Sequence, residues 1–206
     1  MRIKVILALM LLVQSNVGLA EDTQSTKSYT VKPMVVIGLS SGGDELISVT
    51  YDNGDTGEVT AGGGFTFGGG FEFQSIDKPI GVMATVNYHS DSEESSDASF
   101  SMDRFEFTVL PYYQLNERVQ VALGLSMHTG VEYEQDYYGT TTVEFDSAFA
   151  TLIELRYVFE NENMALSGRY TSVDYEISKF DGISISGADS IDGSNVGIFF
   201  TWSFPQ

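Results

Sequence analysis

The connections between apolar-alternating segments constrain the fold of this chain most strongly. Eight segments alternate apolar and polar side chains with the period of two that is typical of β-strands, and none keeps a helical period over three turns. Four long acidic connections alternate strictly with three tight turns, which predicts an up-and-down antiparallel meander with every long loop at one end. The segments are residues 33–41, 63–74, 80–90, 100–114, 118–133, 143–159, 164–175 and 195–204, and the long loops are 42–62, 91–99, 134–142 and 176–194.

Alternation alone does not separate a membrane barrel from a soluble lipocalin-like barrel, because both alternate. The composition of the polar face separates the two kinds of barrel. In the second segment four phenylalanines alternate with Thr66, Gly68, Gly70 and Glu72, and the fifth segment also alternates large apolar residues with small ones. Small residues suit the interior of a narrow barrel, whereas a soluble surface carries lysine and glutamate. We therefore predict an eight-stranded transmembrane β-barrel with its apolar face toward lipid, short periplasmic turns and long acidic extracellular loops.

Aromatic residues concentrate near the segment ends, as in the aromatic girdles of membrane barrels. Ordinary β-propensity, which also enriches aromatics in strands, is the alternative explanation. The predicted periplasmic rim contains Phe73, Tyr113, Tyr157, Phe159 and Trp202, and the predicted outer rim contains Tyr88, Phe100, Phe149 and Tyr170.

The N-terminus has the pattern of a secretory signal peptide. Arg2 and Lys4 precede an uncharged apolar run, and small residues end at Ala20. We predict a signal peptide over 1–20, a short periplasmic segment over 21–32 and the barrel domain over 33–206. Removing the signal lowers the formal net charge from −19 to −21, which argues against a nucleic-acid partner. The chain has no cysteine, so thiolate metal sites are excluded.

The last segment carries Gly197 followed by Phe200, Trp202 and Phe204 on one face. This resembles the C-terminal assembly signal of bacterial outer-membrane barrels, although Pro205-Gln206 extends the chain past the usual final aromatic residue. Over the mature chain the sequence resembles the small eight-stranded barrels of the OmpA-like and OmpX-like superfamily. The resemblance implies a Gram-negative outer-membrane location, outer-membrane lipid and lipopolysaccharide as surroundings, assembly by the barrel-assembly machinery, and a monomer.

The same alternation of side chains places an unusual set of charged residues in the lumen. Turn lengths place Glu154 opposite Arg169 and Arg104 opposite His128, which indicates a buried charge network. An eight-stranded barrel is just wide enough for side chains to fill, so we expect a plugged structural barrel that interacts through its acidic loops. A narrow porin-like channel is the alternative. The predicted lumen residues are Glu72, Arg104, Glu106, His128, Glu154, Arg156 and Arg169.

Some small outer-membrane barrels act on lipid A, which makes an enzyme the third hypothesis. His89-Ser90 is the one histidine–serine pair adjacent in sequence, but neighbours on a strand point to opposite faces, and His128 faces the lumen. We therefore expect neither an enzyme nor a cofactor. The acidic loops are a candidate site for divalent cations, with Asp52 and Asp55 as potential ligands, although the spacing lacks the closing glutamate of an EF-hand.

Overall fold

The computed structural model describes residues 28–50, 56–95, 98–160, 163–185, 187 and 190–204. Within these ranges the chain is all β-structure, and it contains no helix able to cross a membrane. The strands are β1 (Tyr29–Ser41), β2 (Glu45–Thr50), β3 (Thr56–Thr60), β4 (Gly64–Ser75), β5 (Ile80–Glu94), β6 (Ser99–Gln114), β7 (Val119–Asp136), β8 (Thr140–Phe145), β9 (Ala148–Val158), β10 (Met164–Ser172), β11 (Asp174–Phe180), β12 (Ile183–Ser184), β13 (Ser190–Asp192) and β14 (Asn195–Ser203).

Eight of these strands close into an antiparallel barrel in the order β1-β4-β5-β6-β7-β9-β10-β14. Closure is made by β1, which pairs with β4 on one side and β14 on the other, so that Ile37 lies between Phe67 and Phe200. The eight-stranded up-and-down barrel predicted from the sequence is confirmed. We call the end with the three tight connections the turn end and the opposite end the loop end.

Side chains obey the predicted alternation along each strand. Leu123, Leu155 and Ile198 point outward and are at least 60% exposed in the isolated chain, where a bilayer would cover them. Their neighbours point inward, and several are glycine. A Cβ at Gly124 would overlap the carbonyl oxygen of Val109. The small residues therefore let adjacent strands and inward side chains approach closely enough to fill the lumen.

The strands extend further toward the loop end than the sequence indicated. β5 continues to Glu94 and β7 to Asp136, so the predicted loops 91–99 and 134–142 are mostly strand. Asp91 and Glu93 continue the inward face of β5, whereas Glu134 and Asp136 lie on the exposed face of β7. All four lie beyond the bilayer, where a strand accommodates carboxylates. At the turn end β1 also starts earlier, at Tyr29 rather than at residue 33.

Two predicted segments are each divided in two. Segment six comprises β8 and β9, and segment seven comprises β10 and β11. The first division lies beside a bulge in β7 at Gly130, whose φ of 58° suits glycine. Pairing of β7 with the next strand is interrupted there, resumes with β8, and β8 then pairs with β11. The barrel wall is thereby extended beyond the closed region.

Predicted loop 42–62 contains a hairpin of β2 and β3, which forms its own two-stranded sheet. The hairpin contributes Val59 and Ala61, both fully buried, to an apolar cluster at the loop-end mouth of the barrel. The prediction of Phe100 as an outer-rim aromatic is wrong, because it is 6% exposed and shares the inward parity of Met102. The buried members are Val59, Ala61, Phe100, Met102, Val131, Phe145, Ala150, Val173 and Tyr175.

Candidate functional site

Among the described residues, the lumen contains three arginine–glutamate pairs, one near each end and one between them. The six charges balance, which matters because an unpaired charge in a closed interior is costly. The seven residues that the sequence sends into the lumen are all buried, with relative exposures of 7% or less. The pairs are Arg156 with Glu72, Arg169 with Glu154, and Arg104 with Glu106.

The pair nearest the turn end crosses the lumen. Arg156 lies on β9 and Glu72 on β4, and three strands separate β4 from β9 in either direction around the barrel. Arg156 Nη1 nevertheless donates to Glu72 Oε1 at 3.2 Å, and Nη2 donates to Thr201 Oγ1 at 3.0 Å. Glu72 also accepts from Tyr112 OH at 2.8 Å and from Ser203 Oγ at 3.1 Å. Diametrically opposed strands are thus joined through a hydrogen-bonded layer.

The middle pair joins two neighbouring strands. Arg169 on β10 lies directly opposite Glu154 on β9, as the length of the intervening turn predicts. Both Nε and Nη2 of Arg169 lie 2.7 Å from Glu154 Oε2, and the guanidinium lies 4.1 Å from the centroid of the Phe199 ring. Stacking on the aromatic face adds to the attraction of the ion pair. Phe199 belongs to a buried apolar cluster that includes Leu110 and Leu152.

The third pair lies beneath the loop-end hairpin. Arg104 Nε donates to Glu106 Oε1 at 3.0 Å, and His89 Nδ1 lies 3.3 Å from the same oxygen. The second histidine, His128, bonds through Nδ1 to the hydroxyl of Tyr175 at 2.6 Å. All five side chains are buried, so this layer connects the charged lumen to the apolar cluster above it.

Two basic side chains of this layer hold the stem of the hairpin. Arg104 Nη1 donates to the carbonyl oxygen of Ala61 at 3.0 Å, and His89 Nε2 donates to that of Gly63 at 2.5 Å. A carbonyl only accepts, so Nε2 of His89 carries the proton. At the rim Asp91 accepts from the backbone N–H of Thr60 at 2.8 Å. Polar bonds from the wall therefore anchor the hairpin in the mouth.

The register of one predicted pair is wrong. The sequence placed Arg104 opposite His128, whereas the structure places Glu106 there. Beside the turn between β6 and β7 the last pair is Gln114 with Gln120, so five residues lie between the paired positions. The sequence predicted three, residues 115–117. Because side chains alternate with a period of two, a shift of two residues keeps both residues inside the barrel.

Sequence reasoning missed the partners that complete these layers. The sequence links His89 only to Ser90, although its inward position on the strand places it in the lumen, where it contacts Glu106 and Gly63. Tyr112 and Tyr175 are not among the lumen residues that the sequence predicts. The inward parity of Tyr112 was a usable signal, while the role of Tyr175 depends on the extended wall.

At His89 the described residues do not place a hydroxyl and a carboxylate on opposite ring nitrogens. Thr66 Oγ1 lies 2.9 Å from His89 Nδ1, but Glu106 lies on the same nitrogen and Gly63 accepts from the other. A catalytic relay needs the nucleophile and the orienting carboxylate on opposite ring nitrogens. Thr66 is also fully buried, so a substrate has no access to it in this conformation.

The remaining candidates lie at the loops and the C-terminus. Among the described residues no group of three or more His, Cys, Asp or Glu side chains could hold a metal ion. Asp52 and Asp55 lie outside the described residues, as does the proposed signal peptide over 1–20, so those predictions stay predictions. On β14, Trp202 and Phe204 are exposed on the lipid face and their rings stack with centroids 5.8 Å apart.

Charge at the loop end is almost entirely negative. The four predicted long loops contain five, four, two and four carboxylates against one basic residue, Lys179. Lys179 lies 2.7 Å from Glu144 on the neighbouring strand. In the last loop, hydrogen bonds from the Ser194 hydroxyl and backbone N–H lower the pKa of Asp192, so this carboxylate remains ionised at neutral pH.

The sequence matches the outer membrane protein beta-barrel domain family over residues 6–204. The chain belongs to this family. Outer membrane protein beta-barrel domains are located in the outer membrane of Gram-negative bacteria, and the predicted location is confirmed. The exposed apolar belt of the barrel therefore faces lipid, and no soluble-barrel interpretation of the alternation is needed.

Two solved structures are similar to the chain at low sequence identity. Ail, the attachment invasion locus protein of Yersinia pestis, was solved in complex with the heparin analogue sucrose octasulfate. It is 13% identical with a TM-score of 0.51, and the match covers 84% of this chain and 96% of Ail. Neisserial surface protein A is 11% identical with a TM-score of 0.48, over 86% of this chain and 97% of that protein. No curated protein sequence matches the chain.

Proposed function

We propose that this outer-membrane barrel is a closed, non-catalytic structural protein that presents its acidic loop end to the outside of the cell for interaction. The main observation that supports a closed lumen is the hydrogen bond of Arg156 to Glu72 across the full width of the barrel. A conducting pore needs its charged side chains against the wall. Here a guanidinium and a carboxylate meet across the lumen, and hydroxyl and amide groups fill the same layer.

The hairpin of β2 and β3 supports closure at the opposite end. Val59 and Ala61 are buried in the apolar cluster at the mouth, and Arg104 and His89 bond the hairpin stem. Solute entering from the loop end would meet this cluster first and then three layers of paired charge. The proposal therefore does not depend on a single constriction.

Loop-end acidity supports interaction with a cationic rather than an anionic partner. Ail was solved with a sulfated sugar bound. In this chain fifteen carboxylates and one paired lysine occupy the four long connections. We expect such a surface to repel a polyanion. Binding of divalent cations, the barrel-assembly machinery and the monomeric state stay predictions.

Planar-bilayer recording of the purified protein tests the closed lumen. The wild type should give no stable conductance steps, and the double variant Glu72→Ala with Arg156→Ala should leak more because its turn-end layer is removed. Arg118→Ala is the matched control, since Arg118 is an exposed arginine at the turn end outside the lumen. Regular porin-like steps from the wild type would overturn the closed-barrel proposal.

Sidedness is tested separately with engineered thiols, because the natural chain has no cysteine. Tyr138→Cys places a thiol at a loop-end tip that is 93% exposed, and Ile76→Cys places one at the turn end, where the native residue is 56% exposed. A membrane-impermeant maleimide added to intact cells should label the first and not the second. The reverse result would show that the acidic end faces the periplasm.

A further inference from the structure

Two hairpin tips at the loop end expose apolar side chains to solvent. At the tip between β7 and β8, Tyr137 and Tyr138 are 48% and 93% exposed, and their ring centroids lie 4.4 Å apart. At the tip between β11 and β12, Phe180 and Ile183 are 46% and 72% exposed. Both tips lie beyond the closed barrel, and we call these four side chains the apolar tips.

The two tips are joined through the extended wall. The backbone N–H of Asp181 donates to the carbonyl oxygen of Thr142 at 2.8 Å, and the N–H of Thr142 donates to Asp181 Oδ1 at 2.9 Å. Thr142 is two residues from Thr140, which closes the Tyr137–Tyr138 turn by pairing with Asp136. The apolar tips are therefore parts of one sheet and not of two independent loops.

The backbone at Tyr138 indicates that its side chain has a use. Its φ of 57° lies in the left-handed region, which glycine, asparagine and aspartate adopt more readily than an aromatic residue. Asp181, the other non-glycine residue with positive φ in the described chain, has a side chain suited to that conformation. Tyr138 packs on little besides Tyr137, so folding alone would favour asparagine there. Strain retained at an exposed site is a reason to look for function.

Charge around the apolar tips defines what they can contact. Glu134 and Asp136 precede the first tip, Asp181 lies in the second, and Lys179 is bonded to Glu144. An opposing membrane or lipopolysaccharide phosphate is anionic and would be repelled. A cationic polypeptide with apolar side chains fits both properties, since tyrosine rings attract lysine and arginine as well as apolar groups.

We propose that the apolar tips, with Tyr138 at their centre, form a docking surface for a cationic amphipathic polypeptide. This inference rests on the proposed function in that the loop end must face outward for an external partner to reach it. The carboxylates steer the basic partner toward the surface, and the apolar tips hold it. Tyrosine is well suited to this role because it buries a large area with few rotatable bonds.

Binding is measured with the purified protein in detergent micelles and three labelled probes. The probes are a synthetic lysine–leucine amphipathic peptide, an oligolysine of the same charge, and a sulfated oligosaccharide. The amphipathic peptide should bind, oligolysine should bind at least about tenfold more weakly, and the sulfated sugar should not bind. Equal binding of both cationic probes, or binding of the sulfated sugar, would overturn the proposal.

Tyr138→Asn supplies a variant whose failure to bind cannot be attributed to misfolding, because asparagine suits the positive φ. It should weaken binding of the amphipathic peptide about tenfold while heat-modifiable gel mobility is retained. Tyr29→Ser, which removes a 57% exposed tyrosine at the turn end, is the matched control and should bind normally. Unchanged binding by Tyr138→Asn would refute the docking surface. Since micelles expose both ends, this result is independent of the conductance and sidedness tests of the proposed function.

Discussion

The ion pair between Glu154 and Arg169 offers the sharpest test of how the lumen is stabilised. Three proteins are compared with the wild type: Glu154→Ala, Arg169→Ala and the double variant. In each single variant one charge remains in a layer where both wild-type side chains are at most 7% exposed. The remaining charge therefore loses its counter-ion in a layer that is shielded from bulk water.

The expected magnitudes follow from this burial. Removing one partner of a buried pair costs about 3 to 5 kcal/mol, because the other charge is left uncompensated. Two bonds of 2.7 Å to one oxygen and the stacking of Arg169 on Phe199 favour the upper part of that range for Arg169→Ala. The double variant leaves no charge, so we expect it to fall short of the summed single losses by about 2 to 3 kcal/mol.

Urea unfolding in lipid vesicles measures these losses, with the single tryptophan, Trp202, as the fluorescent reporter. Trp202 lies on β14 beside Met164 of β10, so its emission reports on the strand that carries Arg169. Arg118→Ala is the control, because Arg118 and Glu160 are also 2.7 Å apart but are exposed, and its loss should change the midpoint little. Single losses that simply add, or a control as costly as the buried variants, would refute the reasoning.

Three further predictions concern the lipid face, the hairpin and the loop end. Leu123→Arg should cost roughly 2 to 4 kcal/mol in refolding titrations because it places a charge in lipid, and Gly124→Ala should also destabilise the barrel because its Cβ meets the backbone of β6. Arg104→Ala should speed proteolysis of the β2–β3 hairpin in the purified protein, since the stem loses a bond from the wall; unchanged cleavage would show that apolar packing alone holds it. The folded state lowers the pKa of Asp192, so its bond with Ser194 contributes fully above the ordinary aspartate pKa of about 4 and is lost as pH falls further, through the lowered pKa. Exchange protection of the Ser194 amide should drop in that range, and Asp192→Ala should remove the change.

Much of the barrel was predictable because the features that determine it involve residues close together in sequence. Alternation with a period of two separates the lipid face from the lumen, and tight turns transmit register from one strand to the next. The pairing of Glu154 with Arg169 follows from the length of the turn between β9 and β10, which the sequence predicts correctly. The pairing of Arg104 with His128 was wrong because a turn two residues longer moved Glu106 into that position.

Other contacts depend on closure of the sheet and not on any local pattern. Glu72 and Arg156 are 84 residues apart in sequence and meet because an eight-stranded barrel sets β4 and β9 opposite one another at a distance that two long side chains can span. The hairpin within 42–62 likewise depends on the extended wall, whose concave side provides the apolar surface that Val59 and Ala61 cover. Local alternation thus determined which side chains enter the lumen, while the circumference of the closed barrel decided which of them meet.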